Sequence, residues 1–275
     1  MKRFAVAGHL LTAAVGRDAA RILTIHSGRF VGDYQSGRAS TRAIIRHVTR
    51  AFDGIVAVND DIAAVVRGFG APVPAVVVIP AYLPPPDPPD TRLAAELRAA
   101  ADGGRFVLVT SGYGRRDYGF DVLVRAIASN RMLADRCELV LCTYGDRDAA
   151  YMAEVERLAE SLPHVRHLRD LTPDEFAAVL QAGSAYIRAT TLDGDAVAIR
   201  EAGAFGRQVI ASDAVTRPAG CLVFAAGSIQ GLATSIIHAM EDRSIGVMQD
   251  LGRDGERRLF EFYEQIWDGK RRAAG

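Results

Sequence analysis

Two acids, Asp193 and Glu201, have seven residues between them in the stretch Asp193-Gly194-Asp195-Ala196-Val197-Ala198-Ile199-Arg200-Glu201. The stretch reads as an acidic, glycine-containing turn that enters a helix over about residues 196–206, between strands at 184–188 and 207–211. Asp195 is expected to cap that helix, which leaves the amides of Ala196, Val197 and Ala198 and the positive end of the helix dipole to receive an anion. A phosphate suits such a place. Glu201 follows about 8 to 9 Å further along the axis at ~1.5 Å per residue, comparable to the reach of a sugar-diphosphate nucleotide.

A second constellation, Ser111-Gly112-Tyr113-Gly114-Arg115-Arg116-Asp117-Tyr118-Gly119, lies between an apolar run and a helical pattern. Glycines there let backbone approach a diphosphate, and Arg115 and Arg116 can neutralise it; the plainer reading is a solvated arginine pair. A G-x-G without the remaining spacing argues against a nicotinamide site. Arg188 ends the strand before the acidic turn, where it either contacts phosphate or sugar or serves as scaffolding for Asp193 and Asp195. His26 ends another strand, just before Ser27-Gly28, at the kind of position that lines the crevice of an open α/β sheet.

Composition removes several other chemistries. Lys+Arg and Asp+Glu are both 33, so the chain as a whole has no field that would draw nucleic acid. Lysine is confined to Lys2 and Lys270; nearly every cation is an arginine, whose planar fork suits phosphate. Cys137, Cys142 and Cys221 fall in apolar runs without C-x-x-C spacing and read as buried thiols in a reducing, cytoplasmic setting. G-x-S-x-G, H-E-x-x-H and cysteine-histidine clusters do not occur, so no metal or other cofactor is implied. No apolar run reaches the ~18 residues of a membrane span.

The elements that must position these residues come in an α/β rhythm. A helical pattern near residues 4–15 precedes strands at 22–26, 55–58 and 76–79, with a glycine-punctuated loop through Gly28, Gly32 and Gly37 and a helix from about Ser40 to Phe52. Asn59 is placed to cap the next helix. Prolines at 80, 84, 85, 86, 88 and 89 then interrupt regular structure. Beyond them strands are expected near 106–110, 138–142, 164–168, 184–188, 207–211 and 221–224, with helices between most, the pattern of a parallel sheet covered on both faces. This gives a partial first domain over residues 1–83, a linker at 84–90 and a doubly wound second domain over 91–275. Three strands in the first against six in the second mean either a fragment or a reduced domain. Near the carboxyl end, Phe260, Tyr263 and Trp267 share one helical stripe.

The Asp193-to-Glu201 spacing, the following Val209-Ile210-Ala211-Ser212-Asp213 and then Arg217-Pro218-Ala219-Gly220 resemble the E-x7-E region of retaining glycosyltransferases of family 4, with a shorter acid at the first place. Val165-Arg166-His167-Leu168-Arg169-Asp170-Leu171 resembles the family segment that ends in the base pocket. The resemblance implies a GT-B-like α/β fold of two Rossmann-type domains, the first incomplete, and transfer of a hexose-type sugar from a nucleotide-sugar donor to an acceptor hydroxyl with retained configuration. It implies that Glu201 holds the ribose, that Asp193 and His26 act at the donor sugar, and that Gly112, Arg115, Arg116, Arg188, Gly194, Asp195, Ala196 and Val197 bind the donor. The backbone of Arg169, Asp170 and Leu171 reads the base, and the terminal helix packs back on the first domain. The acceptor is a sugar or a lipid-linked acceptor; association with a membrane surface and a partner chain completing the first domain both stay open. The family's Arg and Lys in the glycine loop are replaced by Tyr113 and Tyr118. That departure leaves a non-catalytic nucleotide-sugar-binding protein as the alternative, with a GT-B epimerase as a second enzyme reading.

Overall fold

The computed structural model describes residues 19–80, 85, 87–248 and 254–274; the expected helix near residues 4–15 and part of the proline stretch lie outside them. The chain divides into two compact units, one of residues 1–83, 193–195 and 252–275, the other of residues 84–192 and 196–251.

The first unit is a parallel sheet of β1 (Ile22–Ile25), β2 (Gly54–Ala57) and β3 (Ala75–Val78) in sequential order. One face packs Ile25, Ile55 and Ala57 against α1 (Arg29–Gln35), α2 (Ala39–Thr49) and α3 (Asp60–Arg67). The segment expected as a glycine loop is therefore largely helical. Phe30, Val31 and Tyr34 pack onto the core and hold α1 in place, and that burial outweighs the low helix propensity of Gly32. Asn59 caps α3 as expected, its Oδ1 accepting from the Ile62 N–H at 2.9 Å.

The opposite face takes the carboxyl-terminal helix Gly255–Ala274. Phe262 and Ile266 pack on Val56 and Ile79, and Gly54 makes room for them: a Cβ there would lie 2.9 Å from the Phe262 ring. Lys270 Nζ to Asp53 at 2.7 Å and the Arg258 guanidinium to the Val78 carbonyl at 2.7 Å fix the helix at both ends. The buried stripe is thus Leu259, Phe262 and Ile266. The expected stripe of Phe260, Tyr263 and Trp267 is exposed instead, because it lies on a neighbouring arc with the same period.

The second unit has six strands: β4 (Phe106–Gly114), β5 (Cys137–Arg147), β6 (Val165–Arg169), β7 (Ala185–Arg188), β8 (Gln208–Ser212) and β9 (Leu222–Phe224). All pairings are parallel, and the spatial order is β6-β5-β4-β7-β8-β9. That is the doubly wound Rossmann order, with its topological switch between β4 and β7. Strands buried on both faces explain the continuous apolar runs at Phe106–Val109 and Leu139–Cys142. Phe106 and Leu108 face a core shared with α5 (Phe120–Ala128), α7 (Ala149–Ala159) and α10 (Ile229–Glu241), with α6 (Arg131–Arg136) at its margin through Leu133. α4 (Arg92–Asp102), α8 (Pro173–Ala182) and α9 (Val197–Ala204) pack among themselves. Thr172 and Glu175 form a reciprocal capping box ahead of Pro173. In this numbering the carboxyl-terminal helix Gly255–Ala274 is α11.

β4 and β5 run further than their apolar stretches, since Gly112 pairs with Thr143 and Gly114 with Arg147 after a register shift. Ser111 to Gly114 is therefore strand rather than loop. His164 precedes β6 and His167 lies on it.

Candidate functional site at the switch point of the second unit

Chains leaving the carboxyl ends of β4 and β7 diverge, and side chains there line the crevice in which open α/β sheets bind ligands. After β4 comes Arg115 and a 3₁₀ turn, Arg116–Tyr118. After β7 the chain runs through Ala189 to Leu192, and the two connections are tied together: the Thr191 N–H donates to the Asp117 carbonyl at 3.0 Å. Gly119 closes the turn at φ 67°, where a Cβ would lie 2.2 Å from the Ala189 carbonyl oxygen. A side chain here is excluded twice, by the left-handed backbone and by the neighbour.

α9 begins at the far end of the connection after β7. Its N-cap is Ala196, not Asp195, and it has no side-chain cap. The expected cap fails because the helix starts one residue later, at Val197, and the first internal bond runs from the Ile199 N–H to the Ala196 carbonyl at 3.0 Å. The amides of Val197 and Ala198 are the first-turn donors left without intrahelical acceptors. Glu201, one turn on, is half-buried; among the described residues no hydrogen bond or ion pair reaches its carboxylate, and burial raises its pKa above the ordinary value. A desolvated, unpartnered carboxylate costs stability in the folded chain.

The arginines divide sharply. Arg116 is exposed and spoken for: it bonds Glu154 at 2.7 Å, approaches Asp121 at 3.7 Å and lies over the Tyr151 ring. Arg115 is half-buried, 5.0 Å over the Tyr113 ring and 3.5 Å from Asp117, and its buried Nε lacks a hydrogen-bond acceptor. Arg188 is buried, donates to the Ser111 carbonyl at 3.1 Å and stacks on Tyr118 at 5.0 Å. Tyr118 in turn fills the space beside Gly112, whose missing Cβ would fall 1.9 Å from the ring. Arg115→Ala is therefore expected to weaken binding of a diphosphate by about 1.5 to 3 kcal/mol, and Arg116→Ala to change it by less than about threefold, as titration calorimetry of both variants would show.

Beyond β6, Asp170 takes a positive φ of 51°. Its N–H donates to the Thr143 carbonyl at 2.8 Å, and its carboxylate accepts from the Gly145 N–H at 3.1 Å and from Arg147, which holds its pKa low. Of the expected base-reading amides, that of Asp170 is thus committed, whereas the Leu171 N–H has no hydrogen-bond partner among the described residues. The Arg169 side chain pairs with Glu156 at 2.8 Å. An aromatic pair not singled out in the sequence stands nearby: Tyr113 and the exposed Tyr144, ring centroids 4.9 Å apart. The signal for it is a tyrosine-glycine step just beyond each apolar run, Tyr113-Gly114 and Tyr144-Gly145. Arg217 holds the connection after β8, its Nε donating to the Ser212 carbonyl at 2.7 Å and its guanidinium reaching Thr190 Oγ1 at 3.3 Å.

Asp193, Gly194 and Asp195 belong to the first unit. Asp193 is buried and accepts from the Gly194 N–H at 3.0 Å. The turn rests on the end of β1: a Cβ on Gly28 would lie 1.6 Å from the Asp193 carbonyl oxygen, and one on Gly194 would lie 2.3 Å from the His26 carbonyl oxygen. Asn59 Nδ2 donates to the Gly194 carbonyl at 3.2 Å. His26 is exposed and lines a cavity of about 370 Å³ with Ser27, Arg29, Phe30 and Asp33. The structure thus brings His26 and Asp193 together within one unit, and Gly112, Arg115, Arg188, Ala196, Val197 and Glu201 within the other. Among the described residues there is no cluster of three or more His, Cys, Asp or Glu side chains able to hold a metal, and no helix long and apolar enough to cross a membrane.

A complete doubly wound unit with an uncapped helix at its switch point, together with a second parallel Rossmann-type unit in the same chain, defines the GT-B-like α/β class. Residues 105–242, half of the chain, match the family model described as glycosyl transferases group 1, and the chain belongs to that family. Solved structures agree in fold. Sucrose-phosphate synthase from Thermosynechococcus elongatus superposes with a TM-score of 0.67 at 19% identity, over 98% of this chain and 70% of that one. Anabaena HepE in complex with UDP-glucose gives 0.69 at 15% identity, over 99% and 76%. The UDP-forming trehalose-phosphate synthase from Burkholderia xenovorans in complex with glucose-6-phosphate gives 0.64 at 14%, over 98% and 70%. A comparison with curated protein sequences finds no match.

Proposed function

We propose that this group 1 glycosyltransferase moves a hexose-type sugar from a nucleotide-sugar donor to an acceptor hydroxyl with retention of configuration. The observation that carries the reading is Glu201, half-buried and without a partner among the described residues, one turn above an uncapped helix start at the switch point. Its carboxylate accepts from the ribose hydroxyls, the amides of Val197 and Ala198 with Arg115 stabilise the negative charge that grows on the leaving diphosphate, and Leu171 with Tyr144 takes the base. Asp193 and His26 bind hydroxyls of the donor sugar. The acceptor hydroxyl attacks from the face the diphosphate leaves, and a diphosphate oxygen takes its proton. No protein nucleophile, metal or other cofactor takes part, and the acceptor is a sugar or a lipid-linked acceptor.

Uridine diphosphate sugars are the first donors to test, because HepE was solved with UDP and UDP-glucose. Thermal stabilisation by a panel of nucleotide sugars identifies the donor. Transfer to acceptors with EDTA present, followed by the anomeric coupling constant of the product, then tests the metal-free retaining step; an inverted product or an absolute metal requirement contradicts it.

A second reading, donor binding without transfer, is favoured by Tyr118. Its ring occupies the space beside Gly112 where the resembled enzymes carry a lysine, so one phosphate-neutralising cation is replaced by an aromatic packed on Arg188. Stabilisation by a donor that is neither transferred nor hydrolysed over a day would select this reading.

A further inference from the structure

We propose that the exposed aromatic stripe of α11 is a self-association surface, on which a second copy of this chain docks with its α11 antiparallel. Phe260, Tyr263 and Trp267 are 59%, 39% and 48% exposed, an unusual run of large aromatics to leave in water on a helix whose neighbouring arc is already buried. Tyrosine, tryptophan and phenylalanine are enriched at protein interfaces.

The charges on the same stripe name the occupant. Glu256 lies four residues before Phe260 and Arg271 four after Trp267, and both are exposed with no ion pair or hydrogen bond among the described residues. At 3.6 residues per turn, Glu256, Phe260, Tyr263, Trp267 and Arg271 fall within an arc of about 80° and span about 22 Å. The stripe is symmetric about its centre: the midpoint of Glu256 and Arg271 and that of Phe260 and Trp267 both fall between Tyr263 and Glu264. A two-fold axis there sets Phe260 against the partner's Trp267 and Glu256 against the partner's Arg271, each twice, which is the self-complementarity that an isologous contact requires. A parallel pairing would stack Glu256 on Glu256 and Arg271 on Arg271. An anionic membrane is disfavoured by Glu256 on the stripe itself and by Glu264 and Asp268 alongside.

One helix pair lies at the small end of specific interfaces, below about 1,200 Å², so dissociation in the micromolar range is expected. Sedimentation equilibrium of the full chain over about 1 µM to 1 mM reads it. A monomer–dimer equilibrium is expected for the wild type, weakened at least about tenfold by Glu256→Arg or by Arg271→Glu, each of which opposes like charges. The double variant Glu256→Arg with Arg271→Glu should return to within about threefold of the wild type, and Trp267→Ala should weaken it about thirtyfold or more. These side chains are exposed, and circular dichroism confirms that each variant is folded. A wild type monomeric throughout, a double variant no better than the singles, a dimer indifferent to Trp267→Ala, or a monomer that instead sediments with phosphatidylglycerol vesicles would each overturn the proposal.

Discussion

Glu201→Ala is expected to weaken nucleotide binding by about 1.5 to 3 kcal/mol, roughly 10- to 150-fold in affinity, because a carboxylate that accepts from two ribose hydroxyls makes charge-assisted bonds. The same site predicts an opposite effect on the ligand-free protein. Burial raises the Glu201 pKa, and no partner among the described residues offsets it. A carboxyl whose folded pKa is raised contributes stability that is fully present below its unfolded pKa and is lost as pH rises through the folded value. At neutral pH the ionised Glu201 therefore costs stability, and Glu201→Gln, which cannot ionise, should melt higher than the wild type without ligand. The difference should vanish as pH falls below the ordinary carboxylate range. Nucleotide affinity of the wild type should fall over the same descent, since the carboxylate must be ionised to bind. Thermal scans from acid to neutral pH with and without nucleotide measure both. A Glu201→Gln protein that is less stable without ligand, or binds as well as the wild type, would remove Glu201 from the site.

Gly28→Ala is expected to slow transfer about a hundredfold while sparing nucleotide binding. The added Cβ would sit 1.6 Å from the Asp193 carbonyl oxygen and 2.1 Å from its carbon. Both are backbone atoms, so no rotamer change relieves the clash and the acidic turn must move. Overpacking of this kind costs about 1 to 3 kcal/mol. A displacement near 1 Å of a residue that positions the donor sugar costs about a hundredfold in rate. The second unit is untouched, so affinity for the nucleoside diphosphate should change by less than about threefold. Gly32→Ala is the control: a Cβ there meets nothing within 4 Å, and alanine in α1 should stabilise by about 0.5 to 1 kcal/mol. Equal rates for Gly28→Ala and wild type would free Asp193 from any role that depends on its position.

Why these predictions rest on the structure and not on the sequence alone follows from which signals are local. Parallel strands buried on both faces leave continuous apolar runs such as Phe106–Val109 and Leu139–Cys142, and among the described residues a strand lies at each expected position, although β4 and β5 run further than their apolar stretches. The Asn59 and Thr172 caps are equally local and equally legible. α1 was hidden because Gly28, Gly32 and Gly37 suggest a loop, whereas the burial of Phe30 and Tyr34 that forms it depends on α2 and α3. On α11 two apolar arcs share one period, and the choice between them is made 208 residues away by Gly54, which admits Phe262. At the site, spacing pointed to Glu201 and the glycine strand, but not to the capture of Arg116 by Glu154, 38 residues on, nor to the start of α9 at Val197. Those depend on tertiary neighbours that a local pattern does not contain.

The central claim is that a nucleoside diphosphate binds at the switch point of the second unit, and amide hydrogen exchange with and without saturating UDP tests it most directly. Protection is predicted at the Val197 and Ala198 amides, across Gly112 to Arg115 and at Leu171, with α4 and α10 unchanged. Binding shown by calorimetry but accompanied by protection elsewhere, with Val197 and Ala198 exchanging at the ligand-free rate, would contradict the account.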